Sequence, residues 1–218
     1  MSSPSPKAAL FAQFAEVAKA LGHAHRLVIL ELLAQRERSV EDVATASRLS
    51  LANASQHLRL MRRAGLLVSR RDGKQILYRL SDPAVLDLVA ALHRVGERNM
   101  SEAREIVGGY FCQRDSLEPV TREELTARMK DGLVTVLDVR PEDEFEAGHV
   151  PQAINMPLRR LAEQLRRLPK DREIVAYCRG HYCVFAFEAV AMLRENGFRA
   201  RRLEDGFPEW KAAGLPVA

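Results

Sequence analysis

The sequence has few cysteines, few aromatic residues and no long apolar run. Only three cysteines and one tryptophan occur in 218 residues, and aromatics make up 6%. Three cysteines are an odd number and too few for a disulfide framework, which argues against a small secreted scaffold. No stretch is apolar for long enough to span a bilayer. Met1 to Lys7 is polar, contains two prolines and lacks an apolar signal core. A cytoplasmic protein with no membrane partner is therefore expected. What remains is ordinary in amount: 47% hydrophobic and 28% charged, the composition of a soluble globular chain with room for one large domain or two of usual size.

The charge is not evenly spread. Residues 1–110 hold sixteen basic and eleven acidic residues, net +5, whereas residues 111–218 hold seventeen and eighteen, net −1. Between Arg48 and Arg79 there are eight basic residues and one acidic. A concentrated basic segment on a near-neutral background points to a nucleic-acid face.

Residues 1–6 read as a disordered lead-in. Apolar residues then recur at helical spacing from Lys7 to Leu21 and again from Arg26 to Ala34. Ser39, with Asp42 three residues on, reads as the cap of a short helix, and Ser50 caps a helix over Leu51–Ala64 that stops at Gly65. Leu67–Arg70 and Ile76–Arg79 alternate as strands and are joined through Asp72-Gly73, a strong hairpin signal. A long helix follows Pro83, reaching at least Arg98. This order is that of a winged helix-turn-helix. On the Leu51–Ala64 helix, Leu51, Ala54, Leu58 and Met61 form an apolar back. Asn53, Gln56, Arg59 and Arg63 form an amide-and-arginine front, flanked by Ser55 and His57. Such a front suits the major groove of double-stranded operator DNA. Arg70, Arg71 and Lys74 on the hairpin suit phosphates.

Residues 7–95 resemble an ArsR-type repressor domain. The resemblance is carried by Ala20-Leu21-Gly22-His23 with His25-Arg26, by Ser39-Val40-Glu41-Asp42, by Ser50-Leu51-Ala52 with Ser55-Gln56-His57-Leu58, and by Ala64-Gly65-Leu66. It implies a homodimer on a palindromic operator, with the first and last helices at the dimer interface. The family often senses metals through a cysteine pair on the third helix or through Asp and His ligands on the last. Here Ser39 and Glu41 hold the first pair of places, and only Asp87 and His93 stand near the second, so no metal is expected at either. His23 and His25 read as helix-start residues rather than ligands.

Gly108-Gly109 closes the long helix. The expected organisation is a DNA-binding and dimerisation domain over 7–107, a linker over 108–118 that holds Cys112, and a second domain over 119–218. In that second domain strands alternate with helices, which predicts an α/β fold with a parallel sheet covered on both faces. The apolar run Ile174–Tyr177 reads as a strand and Val184–Asn196 as a helix closed by Gly197. Between them lies Cys178-Arg179-Gly180-His181-Tyr182-Cys183. A thiol at the carboxyl end of a buried strand, before a helix N-terminus, sits where the field favours the nucleophilic thiolate. Asp138 and Arg140 fall at another such strand end.

This half resembles a single-domain rhodanese, a sulfurtransferase. The resemblance rests on Asp138-Val139-Arg140, Glu144-Phe145, Gly148-His149-Val150-Pro151, Ala153-Ile154-Asn155, Cys178, and Gly206 with Trp210, Gly214 and Pro216. It implies that Cys178 takes sulfane sulfur from a donor such as thiosulfate or polysulfide, as a persulfide, with no cofactor. Asp138 and Arg140 would support the loop floor. The family's arginine five residues after the nucleophile is replaced by Cys183, which leaves Arg179 as the candidate to hold thiosulfate. Cys183 has three readings: a resolving thiol, a packed residue, or a metal ligand with Cys178 and His181. Cys112 reads as a packed linker residue or as a redox partner of Cys178. Three functions follow: a regulator whose operator binding responds to sulfur on Cys178, a sulfurtransferase merely localised on DNA, or a metal or metalloid sensor built on the loop thiols.

Overall fold

A computed structural model describes residues 5–111 and 118–218. Cys112 and most of the expected linker lie outside the described residues. The chain divides into two compact units, Met1–Val89 and Ala90–Ala218.

The first unit contains α1 (Pro6–Leu21), α2 (Ala24–Gln35), β1 (Arg38–Ser39), α3 (Val40–Ser47), α4 (Leu51–Arg63), β2 (Leu67–Asp72), β3 (Gln75–Leu80) and the start of α5 (Ala84–Asn99). Ser39 starts α3 with a reciprocal cap: its Oγ accepts from the Asp42 amide at 3.1 Å while Asp42 Oδ2 accepts from the Ser39 amide at 3.3 Å. Ser50 Oγ starts α4 by accepting from the Asn53 amide at 3.2 Å. The core is built from one face of each helix, Ile29, Leu30 and Leu33 from α2, Val43 from α3, and Ala54, Leu58 and Met61 from α4, closed by Leu67 and Tyr78 of the hairpin. Leu51, expected on the apolar back of α4, is instead 51% exposed at the first residue of the helix. The hairpin register pairs Asp72 with Gln75. The two turn residues are thus Gly73-Lys74, with Gly73 at φ +58°, the glycine-first turn suited to the twist of a hairpin. A strand absent from the sequence reading, β1, pairs antiparallel with β3 and makes the wing three-stranded.

The helix after Pro83 reaches past Arg98, as expected, but does not run on to Gly108-Gly109. α5 ends at Asn99, Met100 adopts an extended backbone, and α6 (Ser101–Ile106) begins anew before a π-type turn over Val107–Phe111. The side-chain amide of Asn99 turns back to the Val95 carbonyl at 2.9 Å, a local bond of the kind with which this residue competes against helix propagation.

The second unit continues through α7 (Arg122–Lys130), β4 (Val134–Asp138), α8 (Glu142–Glu146), β5 (Ile154–Asn155), α9 (Leu158–Gln164), β6 (Glu173–Tyr177), α10 (Val184–Glu195), β7 (Ala200–Arg202) and α11 (Phe207–Ala212). The four strands are parallel, in the order β5-β4-β6-β7. Period-2 alternation divides β6 between two cores. Ile174, Ala176 and Cys178 join the cluster that includes Leu161 of α9 and Val190 and Leu193 of α10. Val175 and Tyr177 join the cluster that includes Leu125 of α7 and Trp210 of α11. Among the described residues, no helix is long and apolar enough to cross a membrane.

Candidate functional site

Cys178 follows the last residue of β6, an inner strand of the sheet. It is 1% exposed, and Cys183, before the first residue of α10, is 6% exposed. The two sulfurs are joined as a disulfide, with Cα atoms 6.1 Å apart, inside the range a disulfide spans. The loop they close is held from several sides. The Cys183 amide donates to the Gly180 carbonyl at 3.0 Å, and the Cys178 carbonyl accepts from the Phe207 amide at 3.0 Å. Gly206 lies so close beneath the loop that a Cβ there would overlap the Gly180 nitrogen and the Arg179 carbonyl. This is the physical reason for a glycine at that position.

Arg179 does not stand open to a donor. Its guanidinium grips Glu144 of α8, with Nη2 to Oε1 at 2.7 Å and Nε to Oε2 at 3.0 Å, and lies 5.4 Å from the Phe185 ring centre. Glu144 is fully buried, so a thiosulfate would have to compete with a desolvated carboxylate for this arginine. His181 is exposed, with Nδ1 3.1 Å from the Glu204 carbonyl. Tyr182 reaches the other way. Its ring meets His93 edge-on at 5.3 Å, and its hydroxyl hydrogen-bonds Glu97, so burial and then that bond hold its proton well above the usual tyrosine range. His93 and Glu97 belong to residues 90–99 of α5, within the second unit. Burial lowers the His93 pKa, with a further push from His181.

At the carboxyl end of β4, Asp138 and Arg140 are both fully buried and paired, with Arg140 Nη2 2.6 Å from Asp138 Oδ2 and 2.8 Å from the Gly148 carbonyl. Burial opposes the charge on Arg140, but the hydrogen bonds and charge of Asp138 outweigh it and raise the pKa. Removing one partner of such a pair typically costs about 3–5 kcal/mol. Tyr177 completes this network. Its hydroxyl donates to Asp138 Oδ2 and accepts from the Val150 amide at 3.1 Å. Tyr177 is not among the residues expected at the site, although a polar-tipped ring at the end of an otherwise aliphatic strand is a usable signal.

In the first unit, Asn53, Gln56, Arg59 and Arg63 of α4 are exposed, and Ser55 and His57 are half-buried beside them. Arg71 and Lys74 are exposed at the hairpin tip, where Arg71 Nε donates to the Gly73 carbonyl at 3.0 Å. Arg70 is tied to Glu37 at 2.7 Å and faces Asp72 at 3.5 Å. His57, Asn53 and Gln56 share a notch of about 440 Å³ with His23, His25 and Arg26. The His57 pKa is lowered by burial first and then by the positive groups around it.

A winged helix with a basic, amide-bearing recognition helix, carried on one chain with a parallel α/β unit whose cysteine loop ends an inner strand, defines a transcriptional regulator with a rhodanese-like domain. Residues 21–70 match the helix-turn-helix domain and residues 121–213 the rhodanese-like domain. The chain belongs to the ArsR-type winged helix-turn-helix regulators that carry a C-terminal rhodanese-like domain. It is 44% identical over 211 residues to the HTH-type transcriptional regulator Rv0324 of Mycobacterium tuberculosis, across 97% of this chain and 92% of that one. Over 100 residues it is 31% identical to a sulfurtransferase of Allochromatium vinosum, across 45% of this chain and 92% of the relative. Among solved structures, the homodimeric winged helix-turn-helix DNA-binding domain of a possible ArsR-family regulator from Mycobacterium bovis is 39% identical, with a TM-score of 0.42, over 47% of this chain and 94% of that one.

Proposed function

We propose that the protein is a cytoplasmic, operator-binding homodimer whose affinity for DNA is set by sulfur chemistry at Cys178. The observation that carries this reading is the placement of the loop. Two sulfurs bracket Tyr182, and Tyr182 packs on His93 and bonds Glu97 on the helix that continues from the winged unit. A change in the loop's covalent state thereby bears on α5.

The chemistry balances without a cofactor. The Cys178 thiolate attacks the outer sulfur of thiosulfate, forms a persulfide and releases sulfite. The Cys183 thiol then attacks Sγ of the Cys178 persulfide, a disulfide forms, and the outer sulfur leaves as hydrosulfide. The two thiols are oxidised and the sulfane sulfur is reduced. The Cys178–Cys183 bond is the end state of this sequence. With both sulfurs buried, a donor gains access only after the bond is reduced and the loop opens.

By linkage, the modified and unmodified loops must favour different arrangements of the DNA-binding units. The test is a titration of the gene's own promoter fragment with reduced protein and with protein treated with thiosulfate or polysulfide, with intact mass read on the same samples. The expected result is a mass change equal to one added sulfur or two lost hydrogens, together with a change in affinity of about fivefold or more, the lower end for a coupled pair of sites. Cys178→Ser should lose both, while Cys183→Ser should stop at the persulfide. Modification with unchanged affinity would overturn the switch and favour a sulfurtransferase localised on DNA. That enzyme would turn over thiosulfate and cyanide to sulfite and thiocyanate.

A further inference from the structure

The notch beside the recognition helix gathers three imidazoles that the sequence leaves far apart. His23 and His25 flank the start of α2, and His57 lies on α4 more than thirty residues later. One ring nitrogen from each falls within 4.8 Å of the other two. The rings of His23 and His57 are 4.7 Å apart, and those of His23 and His25 5.2 Å. His23 and His25 are exposed and His57 is half-buried, so all three side chains have room to turn. In a tetrahedral zinc site, with metal–nitrogen bonds of about 2.0–2.1 Å, neighbouring ligand atoms stand about 3.3 Å apart. Closing the present cluster to that spacing brings each pair of nitrogens together by at most about 1.5 Å.

We infer that His23, His25 and His57 form a binding site for a divalent transition metal of the imidazole-preferring kind, with zinc as the representative ion. Three neutral nitrogen donors without thiolate or carboxylate suit zinc, copper or nickel rather than magnesium or calcium. Three protein ligands leave a fourth position for water or a small anion, the pattern of an open rather than a closed zinc site. Arg26 lines the same notch, and its Nη2 donates to the Lys19 carbonyl at 3.0 Å. An anionic fourth ligand such as hydroxide or chloride would offset the positive charge that this guanidinium adds beside the metal. The site also carries a linked cost. His23 Nδ1 now accepts from the His25 amide at 3.2 Å, as the cap of α2. Whichever nitrogen of His23 takes the metal, neutral imidazole gives up that acceptor, and water must replace it on the exposed amide. The metal would therefore join the start of α2 to α4 in place of a local cap.

The experiment uses the oxidised full-length chain, whose Cys178 and Cys183 are held as a disulfide and take no metal. Zinc alone is added, and binding is read by equilibrium dialysis in wild type, His25→Gln and His57→Gln. Wild type should bind one more zinc per chain than either variant, or the same zinc at least about tenfold more tightly. At the same concentration zinc should raise the melting temperature of wild type more than that of His25→Gln. In labelled wild-type protein the ring resonances of all three histidines should move together as zinc is added, a measurement that does not depend on any variant folding. Equal zinc binding in the three proteins, or unmoved ring resonances, would overturn the proposal. So would variants that bind operator DNA less tightly with no difference in zinc, because the cluster would then be serving a phosphate.

Discussion

His93 keeps its imidazole half-buried against Tyr182, near His181 and Glu97, and its pKa lies below the ordinary value of 6.5 because burial disfavours the charged ring. In the unfolded chain the same ring takes a proton near 6.5. The unfolded state thus binds more protons in the window just below that value, and the contribution to stability is present above it and lost as pH falls through it. His93→Gln should flatten this dependence. Melting temperatures measured between pH 7.5 and 5.5 should fall more steeply in wild type than in the variant. Parallel curves would show that the ring is solvated rather than held against Tyr182. Because Tyr182 sits between the two bonded cysteines, the same comparison on reduced protein reports whether the ring pairing outlives the disulfide.

At the scale of elements, the hairpin separates two kinds of basic residue. Arg71 and Lys74 stand exposed at its tip, whereas Arg70 is committed to Glu37 and Asp72. A phosphate must displace two carboxylates to engage Arg70. Arg71→Ala with Lys74→Ala should therefore weaken operator binding about equally across sequences, and should reduce the slope of log affinity against log salt by about one for each phosphate no longer neutralised. Arg70→Ala should change the slope less. A fluorescence-anisotropy series in salt measures both, and an equal effect in Arg70→Ala would place that side chain on DNA after all.

The elements also show where sequence was informative. Apolar spacing and capping residues identify α3, α4 and the wing, because local periodicity and local hydrogen bonds determine them. The same holds for β6, Cys178 and α10. The hairpin was legible but its register was not: Asp72-Gly73 and Gly73-Lys74 are both plausible turn centres, and only the pairing of Asp72 with Gln75 decides. β1 is two residues long and exists only because β3 pairs with it. The grip of Glu144 on Arg179 spans thirty-five positions, and the meeting of His57 with His23 and His25 depends on how α2 and α4 pack. No period in the chain encodes either of these meetings.

For the whole molecule, the helices expected at a dimer interface leave apolar side chains uncovered. On α1, Leu10, Phe11 and Phe14 are 51–59% exposed, and on α5 Leu88, Leu92 and Val95 are 40–59% exposed. Large aromatics left in water on one helix are the usual mark of a partner surface, and a second copy of the chain is the partner the family implies. Phe11→Glu with Phe14→Glu should convert a dimer into a monomer by light scattering, with little change in helix content because neither ring belongs to the core. Operator affinity should fall with it, since one winged unit reads a single half-site. A variant that remains dimeric would move the interface elsewhere.

The bond between Cys178 and Cys183 closes within one chain across four intervening residues. Its formation is unimolecular. The second thiol is always present at the effective concentration set by a short tether, whatever the abundance of the protein. A regulator held by bonds between chains would respond differently in a cell with few copies and in one with many. Under the switch proposed above, the set-point would be the ratio of sulfur donor to reductant, and expressing more of the protein would multiply the number of sensors without retuning any of them.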